Sequence, residues 1–433
     1  MSDQLPTHDS TRRKFLKHSA VASAAFSTLA VPANVHADDG DIIKVGIIGC
    51  GGRGTGAVID ALHADPQAQL VAMGDVFLDR AQQCLTNLQG NREVGDRVVV
   101  DEDHIFSGFD AYKQVIDNVD VVILTSSPHF RPRHLAYAVE KGKHVFCEKP
   151  IAVDAPGVRS VMESCKQAKE KGLSIVSGFC WRYDLGVRET MSKILEEKSI
   201  GDILAVESQY NAGTLWHRGD KPEWSRMEYQ LRNWYYYTWL SGDHIVEQAI
   251  HSIDKTAWLM GDTQPLKAVA LGGRQQRTDK KYGHIYDHFT VFYEYPNGKR
   301  VYFTARQQDG CSNHVDERVI GTNGQAEVLR HRIYDTTGKP TWRYKGKKPS
   351  MYRVEHEALF KSIRDGNPIN NGDYMANSTM IGIMGRMCAY TGKTLTWDEC
   401  FNSDERLGPV EYEWVDVPEP AVAIPGKTTL SEA

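Results

Sequence analysis

The chain has 433 residues, 41% of them hydrophobic and 25% charged, with a formal net charge of −5. This is the composition of a folded globular chain long enough for two domains. The acidic balance argues against nucleic acid and anionic membrane surfaces as partners.

Residues 11–17, TRRKFLK, place Arg12 and Arg13 ahead of a mildly apolar run rich in Ala and Ser from Ala20 to Ala33, and Val35-His36-Ala37 makes a small-residue cleavage site. That order predicts a signal peptide over 1–37. The arginine pair resembles the address of the bacterial Tat route, whose cargo crosses the membrane folded, so the expected location is the periplasm. A basic disordered tail and a membrane anchor are the plainer alternatives, and the run falls short of the roughly twenty strongly apolar residues an anchor needs. Without residues 1–37, which hold four basic and two acidic side chains, the charge becomes −7. The eight cysteines contain no C-x-x-C pair, and buried free thiols are expected.

Residues 43–48, IKVGII, predict a strand, and GCGGRGTG (49–56) followed by AVIDALHA predicts a tight glycine turn opening a helix. Gly49, Gly51 and Gly54 fit G-x-G-x-x-G, with Gly52 and Arg53 in the same turn. Such a turn lets the backbone approach a pyrophosphate and present helix N-terminal N–H groups to it. The next strand, QLVAMGD, ends at Asp75, where a carboxylate accepts from adenosine ribose hydroxyls and repels a 2′-phosphate, favouring NAD over NADP. The alternative is a structural glycine turn beside a surface aspartate. DVVILTSSP (120–128) predicts a buried strand that stops at a loop containing Ser126 and Pro128; RPRHLAYAVEKG predicts a helix. HVFCEKP (144–150) and GLSIVSGFCW (172–181) predict further strands. Alternating strands and helices imply a parallel doubly wound sheet with its ligand crevice at the strands' carboxyl ends. Residues 41–181 are therefore read as a dinucleotide-binding Rossmann domain, with Glu148, Lys149 and Pro150 at the crevice edge.

A helix near 185–197 leads out of this domain. DILAVESQYN, KAVALGGRQ, HFTVFYEYP and RVYFTARQQ, with turns such as PNGK, predict an open, mostly antiparallel sheet in an α+β domain over 182–415. Helices are expected at about 353–366 and 374–391, able to pack back on the first domain, followed by a tail over 416–433. Residues 242–260, GDHIVEQAIHSIDKTAWLM, predict one helix with Ile245, Ala249, Ile253 and Ala257 on an apolar stripe. Asp243, Glu247, His251 and Asp254 recur at spacings of four, four and three on another face. Taken alone this is a solvated face with local ion pairs. The spacing is not H-E-x-x-H and no third ligand is evident, so no metal is expected. The segments WHRGDKPEW and RNWYYYTWL offer flat aromatic faces beside forked donors, which suits a sugar ring as well as a domain core. Tyr183, His217, Arg232, Trp234, Asp287 and His288 are the candidate substrate contacts.

GIIGCGGRG, the strand-end Asp75, GKHVFCEKP, GFCWRYD, GDHIVEQAIHSID and a closing TGKTLTWDE at 391–399 together resemble the Gfo/Idh/MocA family of sugar and polyol oxidoreductases. The resemblance implies that Lys149 lies beside the nicotinamide and that Glu247 and His251 face the substrate; the family's usual acidic residue is Asp, one methylene shorter. It also implies that Trp181 and Arg182 border the cofactor and that the open sheet forms a homo-dimer or homo-tetramer. The loop SSPHFR (126–131) departs from the family's T-P-x-x-x-H, with Arg131 where His is usual. Oxidising a secondary alcohol sends hydride to the nicotinamide and the hydroxyl proton to a base. His251, oriented by Glu247, is the leading base because imidazole titrates near neutral pH. Lys149 holds the alcohol oxygen or takes the proton itself.

An exported enzyme meets no pool of free nicotinamide cofactor, so a chain exported folded is expected to carry NAD and to regenerate it in place. The leading reading is an NAD(P)-dependent oxidoreductase of a sugar, polyol or glycoside secondary hydroxyl. The second is a glycoside hydrolase working by transient oxidation, elimination, hydration and re-reduction, and the third is a sugar-binding or sensing protein without catalysis.

Overall fold

The computed structural model describes residues 40–432. The leader read at 1–37 lies outside the described residues. The first sheet contains β1 (Ile43–Ile48), β2 (Ala68–Asp75), β3 (Ile105–Ser107), β4 (Val121–Leu124), β5 (His144–Cys147) and β6 (Ile175–Ser177) in the order 3-2-1-4-5-6. Every pairing in it is parallel. Helices α1 (Gly52–Ala64), α2 (Leu78–Gln89), α3 (Ala111–Asp117), α4 (Arg131–Glu140) and α5 (Ala155–Glu170) make the crossovers. β4 is buried throughout, as strands covered on both faces must be. The order reverses between β1 and β4, and their carboxyl ends open the crevice where such folds bind ligands.

Beyond α6 (Leu185–Leu195), β7 (Ile203–Ala212) enters a second sheet. The chain then forms α7 (Arg226–Arg232), α8 (Thr238–Ser241), α9 (His244–Glu247) and α10 (Ile250–Leu259) before β8 (Lys267–Gly273), β9 (His288–Glu294), β10 (Arg300–Gln307) and β11 (His314–Gly321). The short strands β12 (Gly324–Glu327), β13 (Arg332–Asp335) and β14 (Pro340–Arg343) extend one edge. After α11 (Met351–Arg364) and α12 (Gly372–Thr391), β15 (Leu395–Thr396) closes the other edge and α13 (Trp397–Phe401) follows. The nine strands run 14-13-12-11-7-10-9-8-15, antiparallel except where β7 lies parallel to β10. Period-2 alternation explains its two faces. Val206, Ala268, Ala270, Val291, Tyr293, Val301 and Phe303 are buried, while Leu204, Val269, Leu271, Phe292 and Tyr302 on the same strands are exposed. Helices α10 and α12 contact this sheet. Helix α12 is buried almost all round because α5 covers its other side.

Three placements bear on the sequence expectation. Residues 242–260 form two helices rather than one, broken at Gln248 and Ala249, and Asp243 lies outside both. Helix α11, which the sequence left able to pack back on the first domain, packs Leu359, Phe360 and Ile363 into that domain's core against α1. Residues read as a tail are tied down, with Tyr286 donating to the Ala423 carbonyl (2.9 Å) and Gly426 to the Thr391 carbonyl (2.9 Å). All eight cysteines are free thiols, and only Cys311 is exposed. Among the described residues no helix is long and apolar enough to cross a membrane.

Candidate active site

The glycine turn divides its labour. Gly49 has φ +100°, and a Cβ there would stand 2.4 Å from the Ser126 backbone nitrogen. A Cβ on Gly54 would meet the Gly49 carbonyl oxygen at 2.1 Å, so these two glycines permit the close packing of β1, α1 and the loop after β4. Gly51 and Gly52 are different: a Cβ on Gly51 would find only Arg80 Nη1 at 3.9 Å, and one on Gly52 nothing within 4 Å. The backbone at the N-terminus of the 13-residue α1 is therefore bare, which fits a dinucleotide pyrophosphate. A cavity beside it is lined by Gly49, Gly51, Asp75, Arg80, Ser126 and Trp234. Trp234, expected at the substrate, thus stands on the cofactor side.

Asp75 ends β2 with one carboxylate oxygen accepting from the Cys50 amide (2.7 Å) and the other from the Phe77 amide (2.9 Å). Burial raises its pKa above the ordinary carboxylate value against those two bonds. Each oxygen keeps a lone pair for a ribose hydroxyl. Ser126 Oγ lies 3.2 Å from His134 Nδ1, and Pro128 is buried at the start of a short 3₁₀ turn.

The chemistry-bearing groups converge at the carboxyl end of β5. Lys149 Nζ donates to the Glu247 carbonyl oxygen (2.7 Å) and to Glu247 Oε1 (3.3 Å). Glu247 therefore serves Lys149, which corrects its expected place as the group orienting His251. Glu148 accepts from Arg53 Nε and from the Lys149 amide (3.0 Å). Burial pushes the Glu148 pKa up, but Arg53, Lys149 and Arg131 outweigh it and hold the carboxyl below its ordinary range. His251, on the first turn of α10, has an Nδ1 with no hydrogen-bond partner. Burial, then the charges of Lys149, Lys255 and Arg53, depress its pKa well below the usual imidazole value. This departs from the near-neutral titration expected of His251: the ring is held in its neutral, acceptor form, and the same burial and cations disfavour its charged form. Below it, Lys255 Nζ donates to the His251 carbonyl (3.0 Å) and pairs with Glu317 (3.3 Å), both side chains being fully buried.

Other expected site residues have different duties. Arg53 pairs with Glu148 and, at 3.1 Å, with Glu355 of α11, so its guanidinium ties the domain core together beside the glycine turn. Arg182 pairs with Asp254 (2.9 Å) and Asp262 (2.6 Å), and Tyr183 donates to Asn371 (3.0 Å). Neither is directed at the crevice: these partners fix the exit from the first domain. Trp181 lies over the Lys255 ammonium at 5.0 Å. His217 uses Nδ1 to accept from the Gly219 amide (3.0 Å) and places Nε2 3.2 Å from the Tyr229 hydroxyl. Arg232 pairs with Asp79 and Glu228. Asp287 is fully buried and accepts from the amides of Gln275 (2.9 Å), Gln276 (2.6 Å) and Arg277 (2.9 Å), with His288 Nδ1 at 2.8 Å. It anchors a loop, and with every oxygen engaged it has no capacity left for a sugar hydroxyl.

Sequence reasoning missed three residues. Tyr210 on β7 accepts from Gln248 Nε2 (2.8 Å), and it feels the charges of Lys149 and Glu247. Arg131 is buried and donates to the Pro150 carbonyl (2.5 Å), placing a guanidinium behind the Glu148–Lys149 corner. Its departure from the family pattern was the available signal, while Tyr210 and Gln248 carried none.

Comparison with known proteins agrees with this geometry. A family profile described as an oxidoreductase family with an NAD-binding Rossmann fold matches residues 43–179, and one for the GFO/IDH/MocA C-terminal domain matches residues 189–327. Inositol 2-dehydrogenase 3 of Saccharopolyspora erythraea is 29% identical over 286 residues, 66% of this chain and 73% of the relative. The 2,7-anhydro-N-acetylneuraminate hydratase of Escherichia coli is 26% identical over 51% of this chain and 53% of the relative. Among solved structures, scyllo-inositol dehydrogenase of Lactobacillus casei with bound NAD(H) and scyllo-inositol superposes with a TM-score of 0.61 at 20% identity, covering 82% of this chain and 99% of that one. Aldose-aldose oxidoreductase of Caulobacter crescentus does so with a TM-score of 0.62 at 19% identity, covering 82% and 99%. With both domains matched in order, and with the glycine turn, Asp75 and the Lys149 corner at the carboxyl edge of one parallel sheet, the chain belongs to the Gfo/Idh/MocA oxidoreductase family.

Proposed function

We propose that the chain is an NAD-dependent oxidoreductase acting on a secondary hydroxyl of a sugar or polyol, with a tightly held cofactor that is regenerated in place. The observation that carries this reading is the Lys149 ammonium, fixed by Glu247 (2.7 and 3.3 Å) next to a neutral His251, on the same sheet edge as the bare glycine turn. Gly51, Gly52 and Asp75 hold the dinucleotide, on a turn that Gly49 and Gly54 allow to pack closely, with Ser126 and Trp234 lining its cavity. When bound, NAD supplies the acceptor for the hydride leaving the carbinol carbon. Lys149 donates to the substrate oxygen and stabilises the negative charge that develops there. His251, held as a neutral acceptor, receives the hydroxyl proton against the burial and surrounding cations that disfavour its charged form. Glu247 holds Lys149 in position.

The inositol 2-dehydrogenases among its relatives support a polyol as the substrate class. Similarity to the hydratase supports the second reading, net hydrolysis through transient oxidation, which would use the same three residues. The exposed apolar face of the nine-stranded sheet supports assembly as a homo-dimer or homo-tetramer through that face. The twin-arginine sequence at 12–13 supports export to the periplasm with NAD already bound.

The test is to purify the protein without added nucleotide, identify what denaturation releases by mass, and then titrate the intact protein with sugars, polyols and an aryl glycoside. Bound NAD that a polyol reduces to give a keto product fits the leading reading. Phenol released from the glycoside without an added oxidant would move the assignment to hydrolysis. An empty protein that binds sugar and reduces no nucleotide would end both.

A further inference from the structure

The adenosine end of the cofactor cavity is closed by parts of the chain that lie far from the first domain in sequence. Its floor is first-domain structure: Gly49, Asp75, Phe77, Phe109 and Phe130. Leu231 and Trp234, from the end of α7 and the turn after it, form another wall. Arg232, between them, pairs with Asp79 at the start of α2 (3.1 and 3.3 Å) and lies over the Phe77 ring at 4.0 Å.

A second piece of chain lies across the same aromatic residues. After α13 the backbone is pinned by Leu407 donating to Asp154 (3.0 Å) and by Glu405 on Arg386 (3.1 Å). Gly408, with φ +99°, passes so close to His129 that a Cβ would stand 2.9 Å from its ring. Tyr412 then reaches His129 Nε2 with its hydroxyl (2.7 Å) and stacks on Phe109 at 5.4 Å. Trp414 packs on Phe109 at 5.0 Å and on Phe77 at 5.6 Å. Asp416 and the Val415 carbonyl accept from the Arg226 (2.9 Å) and Met227 (3.2 Å) amides of α7, so this segment and the α7 wall are one unit. Trp414 is nonetheless 47% exposed, as is Val415, so the segment lies on the protein's surface and is not embedded in its core.

We propose that residues 407–417 form a strap which, with the Arg232–Asp79 pair, locks the adenosine half of the dinucleotide in its cavity, so that the cofactor leaves far more slowly than the enzyme turns over. Three first-domain rings the strap grips, Phe77, Phe109 and Phe130, also line the cavity. Release of the nucleotide past Phe77, Leu231 and Trp234 therefore requires the ring contacts of Trp414 and the Arg232 bridge to open together. This rests on the functional reading above and supplies its physical basis for retention.

The experiment uses the full chain loaded with NAD. Holoenzyme is mixed with an excess of isotopically labelled NAD, desalted at intervals, and the bound label is measured by mass, with no sugar present. Wild type is expected to exchange slowly over many turnover times. Trp414→Ala removes two ring contacts and is expected to exchange about tenfold faster. Asp79→Asn, at an exposed carboxylate, is expected to accelerate exchange severalfold in the same direction. Far-UV circular dichroism and elution volume check the fold, and if Trp414→Ala fails that check, Asp79→Asn decides. Wild-type exchange faster than turnover, or folded variants that exchange at the wild-type rate, would overturn the strap. A protein that holds NAD firmly but that no sugar or polyol reduces would sink the oxidoreductase reading and leave the strap standing, because exchange is read without turnover.

Discussion

Replacing Lys149 by Ala tests the centre of the proposed site. The ammonium makes two bonds, to the Glu247 carbonyl (2.7 Å) and to Glu247 Oε1 (3.3 Å), and the two side chains retain exposures of 11% and 12%. Removing one partner of a fully buried pair costs about 3–5 kcal/mol, because a charge is left unpaired out of water. Here the remaining exposure lets water reach the Glu247 carboxylate, so the expected loss of stability is smaller, about 1–2 kcal/mol. The effect on chemistry is expected to be larger: a donor aimed at charge that develops in the transition state is worth about 10²–10³ in rate. The assay is a single turnover of NAD-saturated protein with a polyol that reduces it, followed by the absorbance of reduced nicotinamide, beside a thermal melt of the same preparation. Lys149→Arg keeps the charge but replaces a point donor with a planar fork, and should fall between wild type and Lys149→Ala. A folded Lys149→Ala enzyme that keeps more than about a tenth of the wild-type rate would refute the role assigned to the ammonium.

Further outcomes follow from other parts of the molecule. Gly54→Ala would place its Cβ 2.1 Å from the Gly49 carbonyl oxygen, and is expected to lose about 1–3 kcal/mol and to weaken NAD retention; a wild-type melt would refute the packing role. Burial depresses the His284 pKa to about 3. The unfolded state then takes up the proton first as pH falls, so the stability His284 confers is complete above about pH 6.5 and declines below it, by about 2 kcal/mol at pH 5. His284→Gln should shrink the difference in unfolding free energy between those conditions by that amount, and an unchanged difference in denaturant titrations would refute the assignment. Leu271, 69% exposed on the open sheet face, is expected to support assembly. Leu271→Lys should lower the molecular mass measured by light scattering, and an unaltered oligomer would remove that face from consideration.

The parts of the fold that were legible from sequence are those whose signal is local. A glycine that must turn at φ +100° and a strand that must be apolar on both faces announce themselves within a few residues, so the parallel, doubly wound character of the first sheet and the strand-end place of Asp75 could be read directly. Partnership across long separations could not. Asp254 resembles a solvated helix residue until Arg182 and Ser378 are placed against it, and Glu355 lies 302 residues from the Arg53 it pairs with. Helix α11 has a clear apolar stripe, but amphipathicity says only that a face is buried, not which sheet buries it. Asp287 illustrates the opposite error: an Asp-His pair read as a sugar contact is a loop anchor, because three consecutive backbone amides converge on the carboxylate.

The break in the 242–260 segment explains why Glu247 serves Lys149 and not His251. Asp243 has φ 71° and ψ 165°, a region that is almost exclusively glycine's and costs about 1–3 kcal/mol for other residues. It is fully buried, and its carboxylate accepts from the Tyr286 amide (2.8 Å), the Tyr390 hydroxyl (2.5 Å) and the His244 amide (2.5 Å). These bonds hold the strained backbone and fix the start of α9, ahead of both Glu247 and His251, while the break between those two lies at Gln248 and Ala249. Helix α9 ends after four residues, at Glu247, and the final carbonyls of a helix lack intrahelical donors. The Glu247 carbonyl accepts the shorter of the two Lys149 bonds, while α10 begins at Ile250 with His251 in its first turn. A continuous helix would have stacked Glu247 on His251 one turn apart. The break at Gln248 and Ala249 instead divides them between two jobs, one carrying the lysine and the other left neutral and unpaired at Nδ1 beside it.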